Sequence, residues 1–527
     1  MSTYTFKPVP VWGSPGQFGR IGAARSRTFP VTTIAGATAT VVQGGTTKAG
    51  YIESDANGLI PAFTTTDIPS VQVDFGIGTV VIHSLEAITA GASSAAAASS
   101  SATDAANSAT AAAAAASSAT VSAGNKVDKG ALIFNASDYG VTGDGATDDT
   151  TAIQSLLTAA RAAKARIKFG FGKTHIVSAT LNPAGVVIEG NSSTLKVKDG
   201  LSATLNVLQS AAPFSATGLT IDLNKANTLA PGADTQGVGI YLAVTSTGWT
   251  GKAVLRDIRI VNGHQVGLRV SSSTTVTDAE TVTAFTRTVL DSVVVENCKW
   301  GIWVKGVRGV TLIDPHVTGC ASDGIYDYAS RDTFVQGGLV DTAGGHGFVS
   351  QYGHATKVDG LSALGCAGSG IAFGGGSTTI TEGRDFTIKG CTAIGNTGHG
   401  ITLDPTKTGA GAAPVAVGAS VTGNVCKGNG IHGIYLNNAK GVAITGNTCR
   451  GNTNAGIGIA GYQTAIGANV CTGNARGIAF YGNASFPNYG QHRVAPNVVT
   501  DNSTSSYYVE SASVTAQFAS VSATPPE

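Results

Sequence analysis

Residues 424–436 read NVCKGNGIHGIYL, residues 447–459 read NTCRGNTNAGIGI and residues 469–480 read NVCTGNARGIAF. One phrase recurs: Asn, Cys two positions later, a second Asn, then Gly before a large apolar residue. Asn424, Asn447 and Asn469 are 23 and 22 residues apart, and Cys426, Cys449 and Cys471 keep the same spacing. Self-similarity at a fixed period marks a repeat architecture. Read outward, the Gly-apolar pair recurs at Gly301-Ile302, Gly324-Ile325, Gly347-Phe348, Gly370-Ile371, Gly400-Ile401, Gly433-Ile434, Gly456-Ile457 and Gly477-Ile478. The apolar anchors are 23, 23, 23, 30, 33, 23 and 21 residues apart. The two long intervals carry extra Gly, Thr and Pro, as in 406–414, which predicts loops inserted between coils. Gly239-Ile240 and Gly267-Leu268 extend the series backward with larger insertions.

A period near 23 with short strands predicts a solenoid. A leucine-rich repeat has a similar length but needs Leu-x-x-Leu-x-Leu-x-x-Asn, which is absent. The parallel β-helix remains, with about three strands per coil and each strand paired to its equivalent one coil on. Equivalent side chains then stack in columns. A second column runs Cys298, Cys320, Cys366, Asn396, Asn429, Asn452 and Asn474, each four or five residues before its anchor. Stacked Asn amides are expected to hydrogen-bond the backbone and one another. The Cys are expected to be unoxidised, inert core residues.

Composition agrees with a long, turn-rich β protein. Of 527 residues, 71 are Gly, and 12% are charged, against about 25% in ordinary domains. The 33 basic and 32 acidic residues leave a net charge of +1. That argues against phosphate-driven nucleic-acid binding and gives no reason to expect an anionic membrane surface as partner. The seven Cys lie between Cys298 and Cys471 with no CxxC and no zinc-like spacing, so no metal or cofactor is implied. Residues 1–10 lack the apolar core of a secretory signal. No run of 18 apolar residues suits a membrane span. A protein made in a cytosol and not exported by a standard signal is expected.

Composition divides the chain. Residues 1–90 alternate in short stretches such as 71–75 and 79–83, with turns at Gly44-Gly45 and Asn57-Gly58, and predict a small β domain. The alternative is an irregular arm that orders on a partner. Residues 91–124 are nearly all Ala and Ser. As a helix they would reach roughly 45 Å; as a spacer they would be flexible. Both make a stalk. Residues 125–500 form the β-helix, and 501–527 a tail or cap. The predicted fold is all-β: a right-handed parallel β-helix preceded by an Ala/Ser-rich helical stalk and a small N-terminal β domain.

Residues 134–161 read FNASDYGVTGDGATDDTTAIQSLLTAAR. Asp144-Gly145 predicts a tight turn. Thr147 or Asp148 is expected to cap a helix near 148–163, with Asp148 and Asp149 in its first turn. Ile153, Leu156, Leu157 and Ala160 make one apolar stripe, suited to plugging the open end of a solenoid. Ile167, Phe169, Ile176 and Val177 look like first-coil core residues. This segment resembles the opening motif of the pectate-lyase-like β-helix superfamily, which includes polygalacturonases and many bacteriophage tailspikes. The Pro that the family often has near Gly170 is missing. The resemblance implies the fold and makes Asp148 and Asp149 cap residues, not a catalytic pair. The order of β domain, stalk and β-helix is similar to phage tail proteins. The piece 50–73, with Asp55-Ala56-Asn57-Gly58, resembles the minor tail proteins of actinobacterial phages. That likeness implies a homotrimer in a virion tail, released by lysis, with residues 1–90 docked to other tail proteins and the β-helix facing the host.

Polygalacturonases use Asn-Thr-Asp, Asp-Asp, Gly-His-Gly and Arg-Ile-Lys on successive coils. Gly345-His346-Gly347 and Gly398-His399-Gly400 match the third element. Both occupy the ordinary repeat turn, no Asp-Asp lies one coil before, and 384–389 is not Arg-Ile-Lys. Turn residues are the expectation. A sharper anomaly lies in the second inward position after each anchor. It holds Val304, Phe373, Leu403, Leu436, Ile459 and Phe480, but Asp327 and Ser350 in two adjacent coils. Trp303 and Tyr326 are expected to stack outward beside it, with Tyr328. Aromatics beside Asp323 and Asp327 suit a carbohydrate-binding face. The alternatives are an Asp327 that faces water where the strand ends early, or aromatics in a trimer interface. The pattern does not place Trp249 and Trp300. The expected function is a structural tail fibre or spike that binds host surface glycan through Trp303, Tyr326 and Tyr328. One alternative is a depolymerase, a hydrolase or lyase, using Asp323, Asp327 and His346; another is a pectin-type cell-wall enzyme.

Overall fold

The anchors stack. Ile302, Ile325, Phe348, Ile371, Ile401, Ile434, Ile457 and Ile478 pair in parallel register, each with its equivalent one coil on. All are fully buried. Leu268 and Ile240 continue the column backward, as the larger spacings predict. The computed structural model describes residues 3–6, 9–10, 28–33, 35–53, 59–60, 62–66, 70–74, 79–83, 132–201, 204–229, 236–272, 276, 279–374, 383–404, 416–482, 490–510 and 515–518. The stalk at 91–124, the Asn57-Gly58 turn and the insertion at 406–414 lie outside the described residues. The chain divides into two compact units, Met1–Lys129 and Gly130–Glu527.

In the first unit, Ser70–Asp74 pairs antiparallel with Thr79–His83 and with Thr28–Thr33. Thr40–Gln43 and Thr46–Ala49 form a hairpin. Its turn residues Gly44 and Gly45 both have positive φ, 61° and 79°, as a two-residue hairpin turn matched to strand twist requires. Val31, Val41, Ile52, Phe63, Val71 and Val73 form its core.

The second unit is a right-handed parallel β-helix opened by helix α1, Thr150–Ala163. Ile153, Leu156, Leu157 and Ala160 of α1 are buried against the first coils, with Ile167, Phe169 and Val177; Ile176, expected among them, is buried but lies outside this core cluster. The capping expectation is corrected. Asp149 occupies the N-cap position, yet makes no side-chain cap bond. Its carboxylate turns back and accepts the backbone N–H groups of Thr142 and Gly143 at 2.8 and 2.9 Å, beside His175 Nδ1 at 3.0 Å. Asp148 serves the first turn, accepting the Thr150 hydroxyl at 2.6 Å. Asp144 ties the preceding turn through the Thr147 and Ala146 N–H groups, which hold its carboxyl at about 2. The acids of the opening motif are thus spent on nearby backbone N–H groups, hydroxyls and His175.

The core repeats because each coil presents the same positions to the same neighbours. Val295, Val317, Val340, Ala363, Ala393, Cys426, Cys449 and Cys471 form one register column, so Cys substitutes for Val as a small apolar residue. All seven Cys are free and buried, and burial pushes the Cys298 thiol up to about 12. The Asn columns hydrogen-bond as expected. Asn424, Asn447 and Asn469 each donate Nδ2 to the next Asn Oδ1 at 2.9 Å, ending on Asn497. Cys391, which the sequence pattern did not place, begins this column by donating its N–H to Asn424 Oδ1 at 2.8 Å. Gly before the anchor is a packing requirement: a Cβ at Gly433 would lie 2.6 Å from the Gly456 carbonyl oxygen. The solenoid does not stop at 500. Ser505–Val509 pairs in parallel with Arg476–Phe480.

Candidate functional site

The residues facing outward from the anchor strands do not repeat. One position after the anchor, Tyr241, Arg269, Trp303 and Tyr326 occupy one register column. Two positions further, Lys305 and Tyr328 stand in register. The side chains of these residues join into one ladder. Trp300 and Trp303 have ring centroids 5.4 Å apart, Trp303 and Tyr326 5.4 Å, Tyr326 and Tyr328 5.9 Å, and Tyr328 and Tyr352 5.8 Å. The three residues expected at a glycan face, Trp303, Tyr326 and Tyr328, are therefore together.

Cations line the ladder. The Arg269 guanidinium lies 5.1 Å from the Tyr241 ring centroid and 4.9 Å from that of Trp303. Lys305 sits 5.4 Å over Tyr328 and Lys299 4.1 Å over Trp300. Such cation–π contacts orient both partners. Arg269 is only 6% exposed. Its Nε donates to Ser271 Oγ at 2.9 Å, while Nη1 and Trp303 Nε1 are buried donors without a hydrogen-bond partner. Burial lowers the pKa of Arg269, and burial with the nearby Arg269 charge lowers that of Lys305. The Tyr326 hydroxyl donates to Gln351 Oε1 at 2.8 Å, and burial pushes its phenol above the usual range.

Asp327 is not part of this face, which corrects both readings of its position. It neither faces water nor lines the surface. It is 0% exposed and points into the solenoid between the levels of Val304 and Ser350. Ser350 Oγ and Thr356 Oγ1 donate to its Oδ2 at 2.9 and 3.0 Å, and Thr333 Oγ1 to Oδ1 at 3.3 Å. Burial raises its pKa against these hydrogen bonds. Asp323 and His346 lie on neighbouring coils but are engaged locally. Asp323 Oδ1 accepts the His346 N–H at 2.7 Å, and His346 Nδ1 accepts the Ser369 N–H at 2.9 Å. An accepting Nδ1 places the proton of a neutral ring on Nε2. The three candidate catalytic residues thus do not converge.

Sequence reasoning missed Tyr241, Arg269, Lys305, Tyr352 and the role of Trp300. The signal for Arg269 was its place one after the Leu268 anchor, obscured by the insertions around that coil. Trp249 is a core residue, its Nε1 donating to the Ala211 carbonyl at 2.9 Å. Among the described residues no group of three or more His, Cys, Asp or Glu is placed to hold a metal ion. No helix among them is long and apolar enough to cross a membrane.

Fold and site together define a right-handed parallel β-helix protein with a non-repeating aromatic and cationic outer ladder. Comparison with known proteins agrees on the fold. Residues 133–230 match the model of the rhamnogalacturonase A/epimerase, pectate lyase-like family. Residues 238–414 match that of the right-handed β-helix region, and 375–520 that of the periplasmic copper-binding protein NosD. Among solved structures, the A-module of the Azotobacter vinelandii mannuronan C-5 epimerase AlgE4 is similar over 73% of this chain and 100% of its own, at 18% identity and a TM-score of 0.53. The pre-mature gene product 12 of bacteriophage phi29 is similar over 74% of this chain and 58% of its own, at 11% identity and a TM-score of 0.49. The catalytic unit of an α-1,3-glucanase from Streptomyces thermodiastaticus is similar over 99% of this chain and 89% of its own, at 13% identity and a TM-score of 0.45. At 18% identity the likeness to the AlgE4 A-module is one of fold. No curated protein matches the chain in sequence.

Proposed function

We propose that the β-helix is a glycan-binding surface, and that the chain is a structural tail fibre or spike protein of a phage virion. The observation that carries the glycan reading is the outward ladder of Trp303, Tyr326 and Tyr328. Sugar rings have apolar faces that stack on aromatic rings and hydroxyls that need hydrogen-bond partners. The ladder offers both, because the half-buried Lys299 and Lys305 ammonium groups lie beside its rings.

Binding without cleavage is favoured over a depolymerase. Glycoside hydrolysis needs two carboxyl groups flanking the bond, one of them free to act as acid. Here Asp327 is turned into the core, and Asp323 accepts a backbone N–H. The order of a small β unit, an Ala/Ser segment and a β-helix supports the tail-protein reading. In that reading residues 1–90 attach to other virion proteins, the chain associates as a homotrimer, and the β-helix meets the host cell-surface glycan.

The test incubates the full chain with a panel of bacterial envelope polysaccharides, following both binding and the appearance of new chain ends. Binding without new ends is expected. Trp303→Ala should weaken it by about 30-fold or more, the scale of a buried aromatic anchor, with circular dichroism unchanged. New chain ends, or a Trp303→Ala variant that binds like the parent, would overturn the reading.

A further inference from the structure

The outward column does not end at Tyr326. It continues through Val349, Ala372 and Thr402 and becomes aromatic again at Tyr435. At about 4.8 Å per coil, Tyr435 stands roughly 19 Å from Tyr326 along the solenoid. Two turn histidines flank it. The His399 and His432 rings are 5.3 Å apart and 3° from parallel. Tyr435 stacks on both, at 4.7 Å and 13° from His399 and at 4.9 Å and 15° from His432. Tyr481 continues the group 5.6 Å from His432. On this coil His399 Nδ1 and Thr402 Oγ1 are buried polar atoms without a partner. His346 and His432 each use Nδ1 to accept the N–H of a following coil, so His399 departs from its own column.

The solenoid does not require this stack. The same column holds Val349, Ala372, Gly458 and Ala479 on other coils, with the core unchanged. Burial holds the His399 ring at about 4 and the His432 ring at about 3. Both are neutral at neutral pH and stack without charge repulsion.

We infer that Tyr435, His399 and His432 form a second sugar-stacking site, in line with the Trp303 ladder and separated from it by a stretch of small residues. It takes the face of a pyranose ring against the half-buried Tyr435 and His399 rings. The inference rests on the glycan-binding reading above, but on different residues. A polysaccharide long enough to reach both sites binds by avidity, which multiplies affinity without any new contact. A short oligosaccharide engages one site at a time.

The experiment uses the full chain with histidine rings labelled in 13C. The probes are dextran, mannan, galactan and size-graded oligosaccharides from each. His399 and His432 resonances, assigned with His399→Gln and His432→Gln, should shift with a probe that binds. These shifts should persist in Trp303→Ala. Tyr435→Ala should abolish them and lower affinity for long chains at least tenfold, to the level of short ones, while Tyr435→Phe retains binding. Histidine resonances that stay fixed while Trp303→Ala weakens binding would overturn the second site and leave the first. Histidine shifts with a Trp303→Ala variant that binds like the parent would leave the second site and remove the first. No histidine shift with any probe overturns the inference.

Discussion

Asp327→Asn should make the protein less sensitive to alkali, and the size of the effect follows from the geometry. Asp327 occupies a core position that other coils fill with Val304, Phe373 or Leu403. Hydroxyls of Ser350, Thr356 and Thr333 donate to it, Ser330 is a further hydroxyl partner, and among the described residues no cation pairs with it. Burial pushes its carboxyl above the usual carboxylate range. The sign is fixed by linkage. The folded state holds the proton to a higher pH than the unfolded chain does, so stability is fully present below the unfolded value. It is lost as pH rises through the folded one, at up to about 1.4 kcal/mol per pH unit. Asparagine keeps the shape and an acceptor oxygen but does not titrate. The variant should therefore match the parent within about 1 kcal/mol near pH 4 and exceed it above the window. The assay is denaturant unfolding of the full chain from pH 4 to 9. It is read as the difference between the two proteins, which cancels every other titrating group. Because repeat arrays often unfold in parts, exchange of the amides in Ile325–Tyr328 and Phe348–Gln351 reads the same difference locally. A difference constant across the range would refute the buried neutral acid. Asp327→Ala should instead cost about 3–6 kcal/mol near pH 4, since it strands the buried hydroxyls, and that cost should shrink as pH rises by the same linkage. Asp327→Asn should leave glycan binding untouched; loss of an activity would restore the catalytic reading.

Three further outcomes are expected. Asn447→Ala should destabilise by about 3–5 kcal/mol, because the amide bonds Val421 O, Asn469 Oδ1 and the Asn424 N–H and Nδ2 groups, all at 2.9 Å; a loss below about 1 kcal/mol in urea unfolding would show the ladder to be ornamental. Gly433→Ala should cost about 1–3 kcal/mol by overpacking, since its Cβ would lie 2.6 Å from the Gly456 carbonyl, and an unchanged melting temperature would contradict the close approach. Stability should fall as pH drops from 6.5 toward 4, because burial lowers His399 to about 4 and His492 to about 4, so the unfolded chain takes up protons first. For His399 that is worth about 3 kcal/mol, and His399→Gln should flatten this part of the curve.

The fold was legible because a solenoid asks the same thing of every coil. The core at Ile434 is also the core at Ile457, so one physical demand is written many times in the sequence. The Asn column was readable for the same reason: an amide that bonds the next coil needs an amide there. Cys391 escaped because its coil begins the column and follows a long insertion. The aromatic ladder was partly legible, since Trp303 and Tyr326 are one period apart. Arg269 was not, because its coil is separated from Trp303 by 34 residues and the interval hides the register. Asp327 was misplaced for a different reason. Position alone marked it as inward, but its partners Thr333 and Thr356 come from the next face and the next coil. No short-range pattern shows three hydroxyls converging on a carboxyl.

The contrast between inner and outer columns carries the functional argument. Inward, the column through Val340, Ala363, Ala393 and Cys426 changes only among small apolar residues, and where another inward column turns polar at Asp327 and Ser350 the two groups hydrogen-bond each other. Outward, the column after the anchor passes from Arg269 to Trp303 and Tyr326, then to Val349, Ala372 and Thr402, and back to Tyr435. Strand pairing is indifferent to that sequence, because the backbone register is continuous through all of it. Partly exposed aromatic rings gain less from the fold than buried ones do, and the orphaned donors beside them are a net cost to the unbound chain. A surface that gives up stability in two separate clusters, both on one column, is organised by something the fold does not supply. The polysaccharide proposed above, a rod-shaped ligand lying along the solenoid axis, would match the geometry of that column.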